Sequence, residues 1–583
     1  MPAPSSTSRA ERSRFGARRA VAPALALALV IAAGTVPAVG AAGARWVKPP
    51  PVLGLPSRSG AEGPPRPYGF EPGAGPAAPR TAPGFVRAQD RAMLDGPFPA
   101  GGLRRGVSDG TLFKSADPAR RRAALALARD AGAAIARISV DWRNVAPAAP
   151  PPGFDARDPA SPGYDFTALD AAVRDAADAG LEPLLAVFHA PAFAEAPNRW
   201  PHAFDGSWDP DPAALEAFAA ALAERYGGSW PDPSAPGRTL PRVRLWQAWN
   251  EPNLARYLEP QWIVSGGRWR AFSPLLYRQL LDGFYRGVKS VAPGDVVAAA
   301  GVAPNGDRAG VGRMAPVTFL RGLLCLTSGP HGVLRRGHGC GGPVDLDALA
   351  FHPLSVGSPD LAATSALDVA ISDAGKVAAL ARAAVRLRTV APARPTQLWV
   401  TELNWESSPP ATAGVPPALQ APWLSRALHR LWSAGVDLVA WQFLIDPFPA
   451  LTVAAPDGGV VSYQRPAGLY SPGPGGDPTL AQAKPFVSAL RLPFDPLRLD
   501  RRRVRVWALA RPSGGPPPAS ARALLQARGA DGAWRTVATI AIGRDGVVDA
   551  VVRLRGALRL RLQAGGVLSA EAALGTRRSL PSG

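Results

Sequence analysis

The sequence predicts an α/β protein, a (β/α)8 TIM barrel, with a smaller C-terminal all-β sandwich domain. Between residues 103 and 490, short apolar runs alternate with amphipathic helical stretches, and the pair repeats eight times. Such alternation is typical of parallel βαβ units with buried strands. The first strand lacks the glycine-rich phosphate turn of the main alternative, an open doubly wound sheet. Beyond residue 500 the helical pattern gives way to short alternating segments between Gly, Pro and Asp-Gly turns, as in a sandwich.

The elements follow in order along the chain. The eight predicted barrel strands are 103–107, 135–140, 181–188, 243–249, 296–302, 346–351, 397–401 and 436–443. The helices that follow them are 118–132, 166–180, 212–226, 273–291, 316–325, 373–390, 417–435 and 480–490. The predicted sandwich strands are 504–508, 523–528, 534–540, 547–554 and 558–563.

The composition divides the 583 residues into five parts. These are a signal peptide (1–44), a Pro/Gly-rich linker or strap (45–100), the barrel (101–495), the sandwich module (496–575) and a tail (576–583).

The N-terminal part predicts export. Five arginines between positions 9 and 19 precede an uncharged run, 20–44, that ends in small residues. This is the pattern of a cleaved secretory signal, and it predicts a secreted or cell-surface protein. The alternative is an uncleaved anchor, because the run is long enough to span a bilayer, and a membrane partner is expected only in that case.

The positive charge is concentrated at the two ends of the chain. Of a formal net charge of +20, residues 1–44 carry +4 and residues 501–583 carry +11. Such charge most often marks a solvated face, and the alternative is an anionic cell-envelope polymer as a partner of the basic module. No nucleic-acid motif accompanies the charge, so no nucleic-acid partner is expected. Since Cys325 and Cys340 lie downstream of the export signal, they are expected to form a disulfide. No metal-ligand spacing or cofactor motif occurs, so neither a metal nor a cofactor is predicted.

The candidate site residues are those that end the barrel strands, because active sites of this fold lie at the carboxyl ends. They are Arg137, His189, Asn250, Glu251, His352, Glu402, Asn404 and Trp441. Glu251 and Glu402 end the fourth and seventh strands, which stand across the barrel mouth. Two facing carboxylates are what the cleavage of a glycosidic bond requires, one as acid/base and one as nucleophile or base. Tryptophans in the loops after strands favour a saccharide, because sugar rings stack on indole.

The motifs around these residues resemble glycoside hydrolases of clan A, in particular families 5 and 39. The segment from Trp249 to Pro252 resembles the Asn-Glu-Pro acid/base motif, and Val400-Thr401-Glu402 resembles the nucleophile position. The resemblance covers about residues 100–490. It implies a retaining glycoside hydrolase that acts on an O-glycosidic bond of a poly- or oligosaccharide, and a β-linkage is expected.

The same resemblance implies roles for the remaining residues. Arg137 would support the nucleophile, Asn250 would bind the sugar 2-hydroxyl, and Trp441 would form the floor of the sugar subsite. His189 and His352 correspond to the third- and sixth-strand histidines, and Asn404 is expected to contact substrate. The pattern departs at Leu354, where the cellulase-like enzymes often carry an aromatic hydroxyl.

Two alternatives stay open at the level of the sequence. One is a non-catalytic cell-surface carbohydrate-binding protein on the same barrel. The other concerns the nucleophile, because Glu406 lies on the same strand face as Glu402 but past the expected strand end.

Overall fold

The structure, a computed structural model, describes residues 102–574 except 330–331, 356, 395, 448–450, 455–459, 464, 511–516, 519 and 557. The predicted signal peptide, the linker or strap and the C-terminal tail therefore lie outside the described residues.

Eight parallel strands close into a barrel in the order of the chain. They are β1 (Arg104–Ser108), β2 (Ile135–Asp141), β3 (Glu182–Phe188), β4 (Leu245–Ala248), β5 (Val296–Val302), β6 (Ala348–Phe351), β7 (Gln397–Leu403) and β8 (Leu438–Gln442). Strand β8 pairs in parallel with β1 and completes the ring. The closed ring confirms the predicted barrel and excludes the open sheet.

Eight helices alternate with the barrel strands. They are α1 (Pro118–Asp130), α2 (Thr167–Asp178), α3 (Pro212–Arg225), α4 (Ser273–Val291), α5 (Pro316–Leu323), α6 (Ala374–Arg386), α7 (Pro417–Ser433) and α8 (Pro485–Arg491). Five of them begin with proline, whose missing N–H costs nothing in the first turn. Asp117 and Asp211 cap α1 and α3 by accepting backbone N–H bonds.

Apolar side chains fill the barrel interior below its carboxyl end. Buried residues from β2, β3, β4, β5, β6, β7 and β8 form one cluster: Ile135, Leu184, Ala186, Leu245, Ala298, Ala348, Ala350, Trp399, Leu438 and Ala440. Because side chains alternate between the two faces of a strand, the next inward positions toward the carboxyl end lie above this plug. Those positions are where the candidate site residues begin.

The observed elements differ from the predicted ones at two informative places. Strand β7 continues to Leu403, past the predicted end at 401, so Glu402 lies within the strand. Its pairing with β8 shifts register between Val400 and Leu403. The last helix begins at Pro485 rather than near 480, because a separate 3-10 turn, Pro478–Leu480, precedes it.

Short strands decorate the loops. They are Trp262–Ser265, Arg268–Ala271, Leu326–Ser328, Leu334–Arg336, Val344–Asp345, Val390–Ala391, Leu451–Ala454, Val460–Tyr463, Tyr470–Ser471 and Gln482–Ala483. Cys325 and Cys340 form the expected disulfide, which closes the loop containing one of these hairpins. Within the described residues, none of the helices combines the length and the apolar character that crossing a bilayer requires.

The C-terminal module is a sandwich of two antiparallel sheets. Its strands are β9 (Phe494–Arg498), β10 (Arg503–Leu509), β11 (Arg522–Arg528), β12 (Trp534–Ala541), β13 (Val547–Arg553), β14 (Leu558–Ala564), β15 (Val567–Leu568) and β16 (Ala572–Leu574). One sheet has the order β9-β10-β13, and the other runs β12-β11-β14-β15 with β16 also on β14. A buried apolar cluster from both sheets lies between them. The predicted boundary at 495/496 falls inside β9.

The module packs on helix α7 of the barrel. The Asp495 carboxylate accepts hydrogen bonds from Arg426 at 2.9 Å and from His429 Nδ1 at 2.7 Å. Trp507 stacks on the His429 ring with centroids 4.6 Å apart, and both side chains are fully buried. Barrel and module therefore share apolar packing as well as an ion pair.

Candidate active site

Glu251 and Glu402 face each other at the barrel mouth, with His352 between them. One carboxylate oxygen of each glutamate and one ring nitrogen of His352 all lie within 4.8 Å of one another. Glu251 follows β4, Glu402 lies near the end of β7, and His352 directly follows β6. The structure thus brings together the three residues that the sequence placed at the ends of separate strands.

Arg137, on β2, joins four strands at this point. Its guanidinium donates to Glu402 Oε1 at 2.9 Å and to Asn250 Oδ1 at 2.7 Å. It also donates to Ser108 Oγ and to Gln247 Oε1, both at 3.2 Å. A buried arginine whose donors meet a carboxylate, two amides and a hydroxyl is held in one orientation and holds Glu402 in turn.

His352 is fixed through both ring nitrogens. Nδ1 lies 3.0 Å from Glu251 Oε1 and Nε2 lies 2.9 Å from Thr401 Oγ1. Nδ1 is 3.8 Å from Glu402 Oε2, so the histidine is hydrogen-bonded to Glu251 rather than to Glu402. Gly301 makes this packing possible: its φ is 68°, and a Cβ there would lie 2.6 Å from Gln247 Nε2 and 2.9 Å from His352 Nε2.

Two buried polar atoms of the site have no hydrogen-bond partner among the described residues. They are Glu251 Oε2 and Asn404 Nδ2. An unpaired buried oxygen or amide nitrogen is costly, and such atoms in a native site require an explanation. A substrate that hydrogen-bonds to both atoms supplies one.

His189 belongs to a separate group on the wall of the mouth. Its Nδ1 lies 2.9 Å from Arg143 Nη2 and 3.2 Å from Asp141 Oδ2, and its ring stacks on Tyr257. Burial lowers the pKa of His189, against the opposing effect of Asp141. Burial would raise the pKa of Asp141, but hydrogen bonds from Arg143 and His189 hold it well below its usual range. Among the described residues, His189 therefore hydrogen-bonds within this group and not to the two glutamates, and its contact with substrate stays a prediction.

Trp441 is not a sugar platform, which corrects the prediction. It is fully buried outside the barrel, its Nε1 donates to Ala467 O, and it packs on Phe486 of α8 with ring centroids 4.6 Å apart. Leu438 and Ala440 of the same strand point into the barrel, so Trp441 points outward and Gln442 inward. Trp249 and Trp405 are also buried core residues, so they do not line an open cleft.

Sequence reasoning missed three side chains that position the site. Ser108 and Gln247 hold Arg137, and Thr401 holds His352. Each is a polar residue at an inward position of a barrel strand. That signal was available, because a polar side chain inside a barrel strand needs a hydrogen-bond partner.

The backbone around the site adopts conformations that side chains disfavour. Positive φ angles occur at His189 (57°), Trp249 (71°), Glu251 (42°) and Ala300 (70°). Each costs roughly 1–3 kcal/mol, and such residues persist only where the surrounding fold imposes them. All four lie at or next to the carboxyl ends of β3, β4 and β5.

Glu251, His352 and Glu402 are also potential metal ligands, as any converging histidine and carboxylates are. Arg137 already brings a positive charge to Glu402. A second cation at the same carboxylate would meet electrostatic repulsion, which disfavours metal binding there.

No protein-family profile matches the chain, and no curated protein matches it. Several solved structures are similar. A family 39 glycoside hydrolase from Bacteroides cellulosilyticus is 18% identical over 79% of each chain, with a TM-score of 0.44. A GH5_18 enzyme from Streptomyces cattleya is 18% identical, over 68% of this chain and 80% of its own, with a TM-score of 0.38.

A monomeric β-xylosidase from Caulobacter crescentus is 15% identical, over 79% of this chain and 95% of its own, with a TM-score of 0.40. At such low sequence identities and TM-scores, the similarities by themselves support no conclusion about the chemistry of this chain. That chemistry is inferred from the site.

Proposed function

We propose that the protein is a retaining glycoside hydrolase with Glu402 as nucleophile and Glu251 as acid/base. The observation that carries the proposal is the approach of the two carboxylates, whose oxygens come within 4.8 Å of each other. Retaining enzymes hold the two carboxyl groups about 5–5.5 Å apart, whereas inverting enzymes need about 6.5–9.5 Å to admit a water. The short distance supports retention.

The hydrogen bonds supply the division of roles between the glutamates. Arg137 donates a charge-assisted hydrogen bond to Glu402 Oε1, which fixes the direction of this carboxylate as a nucleophile requires. Among the described residues, Glu251 has no arginine or lysine partner, and its Oε1 is engaged by His352. Its free Oε2 is the atom that can carry a proton to the glycosidic oxygen.

The reaction then proceeds in two displacements. Glu251 protonates the leaving oxygen while Glu402 attacks the anomeric carbon, which breaks the glycosidic bond and forms a glycosyl ester. A water then replaces the leaving group. Glu251, now ionised, takes a proton from this water as it attacks the ester, and Glu402 is released.

Substrate hydroxyls are expected to meet the two asparagines. Arg137 orients Asn250 by donating to its Oδ1. Asn404 Nδ2 has no hydrogen-bond partner among the described residues. These donors, together with the sequence motifs, support a poly- or oligosaccharide with β-linked sugars as the substrate class.

The assignment is tested with alanine variants and azide. Glu402→Ala and Glu251→Ala should each lower the hydrolysis of aryl glycosides by several orders of magnitude. Azide should rescue Glu402→Ala by attacking the substrate in place of the missing nucleophile, which gives a glycosyl azide of inverted configuration. It should rescue Glu251→Ala by attacking the glycosyl ester on Glu402, which gives a glycosyl azide of retained configuration. Circular dichroism checks that each variant is folded.

Glu406→Ala is the matched control, since Glu406 lies nearby but faces Arg465 at 3.5 Å. It should keep wild-type turnover. If Glu406→Ala were inactive and Glu402→Ala active, the nucleophile would be Glu406. If the wild type bound sugars without turnover, the protein would be a carbohydrate-binding protein instead.

We also infer that the protein works outside the cytoplasm. The Cys325–Cys340 disulfide and the basic, then uncharged, N-terminal segment support export. N-terminal sequencing of the exported protein should find a start near residue 45. Recovery of the full-length chain in the membrane fraction would instead identify the segment as an anchor.

A further inference from the structure

The sheet of β11, β12 and β14 turns one face away from the sandwich core. On β11, Ala523, Leu525 and Ala527 are buried, so the alternate positions point outward. On β14, Leu560 and Leu562 are buried in the same way. The arginines on this outward surface, which we term the arginine face, are Arg522, Arg528, Arg559 and Arg561.

An aromatic ring, an amide and a guanidinium form a row across the arginine face. The Arg561 guanidinium carbon lies 4.3 Å from the centroid of the Trp534 ring. Arg561 Nε donates to Gln526 Oε1 at 2.7 Å. Because Gln526 pairs with Arg561 on one side and with Thr536 on the other, polar side chains continue across three strands.

Positive charge dominates this surface. Glu571 approaches two of these arginines, and its Oε2 lies 3.6 Å from Arg559 and 4.0 Å from Arg528. One carboxylate at such distances leaves most of the charge of four guanidinium groups available. Arg528 and Arg559 are well exposed, so they can meet an external partner.

We propose that the arginine face binds an anionic polysaccharide, through its carboxylate or sulfate groups. Guanidinium groups form bidentate, charge-assisted hydrogen bonds with such oxyanions. The N–H groups of the Gln526 amide and the Thr536 hydroxyl suit sugar hydroxyls, while the Trp534 indole lies under the Arg561 guanidinium and helps to hold that arginine in place. Because side chains that bind hydroxyl groups lie beside the arginines, the face suits a polymer that carries both hydroxyl and acidic groups, as an anionic polysaccharide does and duplex DNA does not. The inference does not depend on hydrolysis, since no residue of the face belongs to the active site.

The experiment measures binding of the full chain to polygalacturonate and to dextran sulfate, with dextran and duplex DNA alongside. Isothermal titration calorimetry at low salt should give binding to one or both anionic polysaccharides and none to dextran. Binding should weaken as salt is added, because surface charges are screened. The preferred anionic polymer identifies carboxylate or sulfate as the group recognised.

Three variants test the location. The double variant Arg528→Gln/Arg559→Gln should bind about tenfold more weakly or worse, because it removes two charged hydrogen-bond donors from the face. Arg544→Gln/Arg555→Gln removes the same charge from exposed turn positions of the module and should bind like the wild type. Glu571→Gln removes the carboxylate beside the face and should bind more tightly. All three change exposed side chains, so folding is expected to be retained.

Equal weakening in both double variants would show that net charge alone acts, and would overturn the proposal. So would weaker binding by Glu571→Gln, or tighter binding of DNA than of either anionic polysaccharide. Absence of any binding to the two anionic polymers would also overturn it.

Discussion

At the scale of single residues, the site depends on which face of a strand a side chain occupies. Trp441 and Gln442 are neighbours in sequence, yet one packs in the outer core and the other points into the barrel. A shift of one residue reverses every side chain of a strand. The chemistry at the mouth is therefore set by strand position as much as by residue type.

Gly301 provides a test of close packing at the site. Replacing it with alanine would push a methyl group into Gln247, which holds Arg137, and into His352, which holds Glu251. We expect Gly301→Ala to lower kcat strongly and to lower the melting temperature. Gly267→Ala is the control: its φ is 72°, but nothing lies within 4 Å of the added Cβ.

Because both substitutions carry the conformational cost of positive φ, about 1–2 kcal/mol, only the crowding differs. Steady-state kinetics and thermal melts measure the two effects. Equal kcat in the two variants would show that the crowding at Gly301 is harmless.

The sequence singled out the two glutamates and His352 because each follows or ends an apolar strand, and it singled out Arg137 through its resemblance to the second-strand arginine of family 5 enzymes. It did not identify the partner of His352. Hydrogen bonds between side chains depend on distances of tenths of an ångström across the barrel, and a linear pattern does not encode them. The assignment of Trp441 failed for a simpler reason: an aromatic residue near a strand end looks the same whether it points inward or outward.

At the scale of elements, the last strand meets the first through a buried carboxylate. Asp109, just after β1, accepts N–H bonds from Thr111 and Leu112 in its own loop and from Leu444 beyond β8. Burial raises the pKa of Asp109 from 3.8 to about 6, although these backbone hydrogen bonds oppose the shift. Asp109 thus ties together the loops at the closure of the barrel.

The raised pKa predicts a pH dependence of stability. Between pH about 4 and about 6 the unfolded chain ionises Asp109 while the folded protein does not, so this residue favours unfolding increasingly as pH rises. The two-unit difference corresponds to about 3 kcal/mol as an order of magnitude. The melting temperature of the wild type should fall relative to that of Asp109→Asn between pH 4 and 7. Parallel pH profiles for the two proteins would contradict this expectation.

The strand and helix order was predictable because amphipathic periodicity survives over whole elements. The first strand of the sandwich, β9, was not predicted. It carries Asp495 and Pro496 in a five-residue segment, and both residue types are uncommon in strands. Tertiary contacts with β10 and α7 outweigh that low propensity.

At the scale of the whole molecule, the module and the barrel stabilise each other. Trp507, Leu509 and Val547 of the module belong to the same buried apolar cluster as the barrel helices. The change in composition near residue 500 marks a change of fold type, but it does not mark a break in the core. The sequence could show the change of fold type. It could not show that the core continues across it, because shared burial is visible only in three dimensions.

A chain that ends at Leu499 should therefore be much less stable but should keep its turnover per folded molecule. The site residues described lie between 108 and 404, so none is removed. Trp507→Ala in the full chain isolates the contact with His429, and loss of a buried tryptophan costs about 3–5 kcal/mol. Thermal melts and assays on a small aryl glycoside at low temperature measure both effects. An unchanged melting temperature in the truncated chain would mean that the interface contributes little.

The positive φ angles at Trp249 and Glu251 limit the structural settings in which the segment after β4 can hold its conformation. A loop that is strained in isolation relaxes as soon as it is released, so the segment after β4 would not present its carboxylate in another setting. A peptide or an unrelated scaffold that carried this motif would have its amino-acid sequence but not its backbone conformation. The conformation of this site depends on the whole ring of strands. A design that reuses the site must therefore keep the barrel.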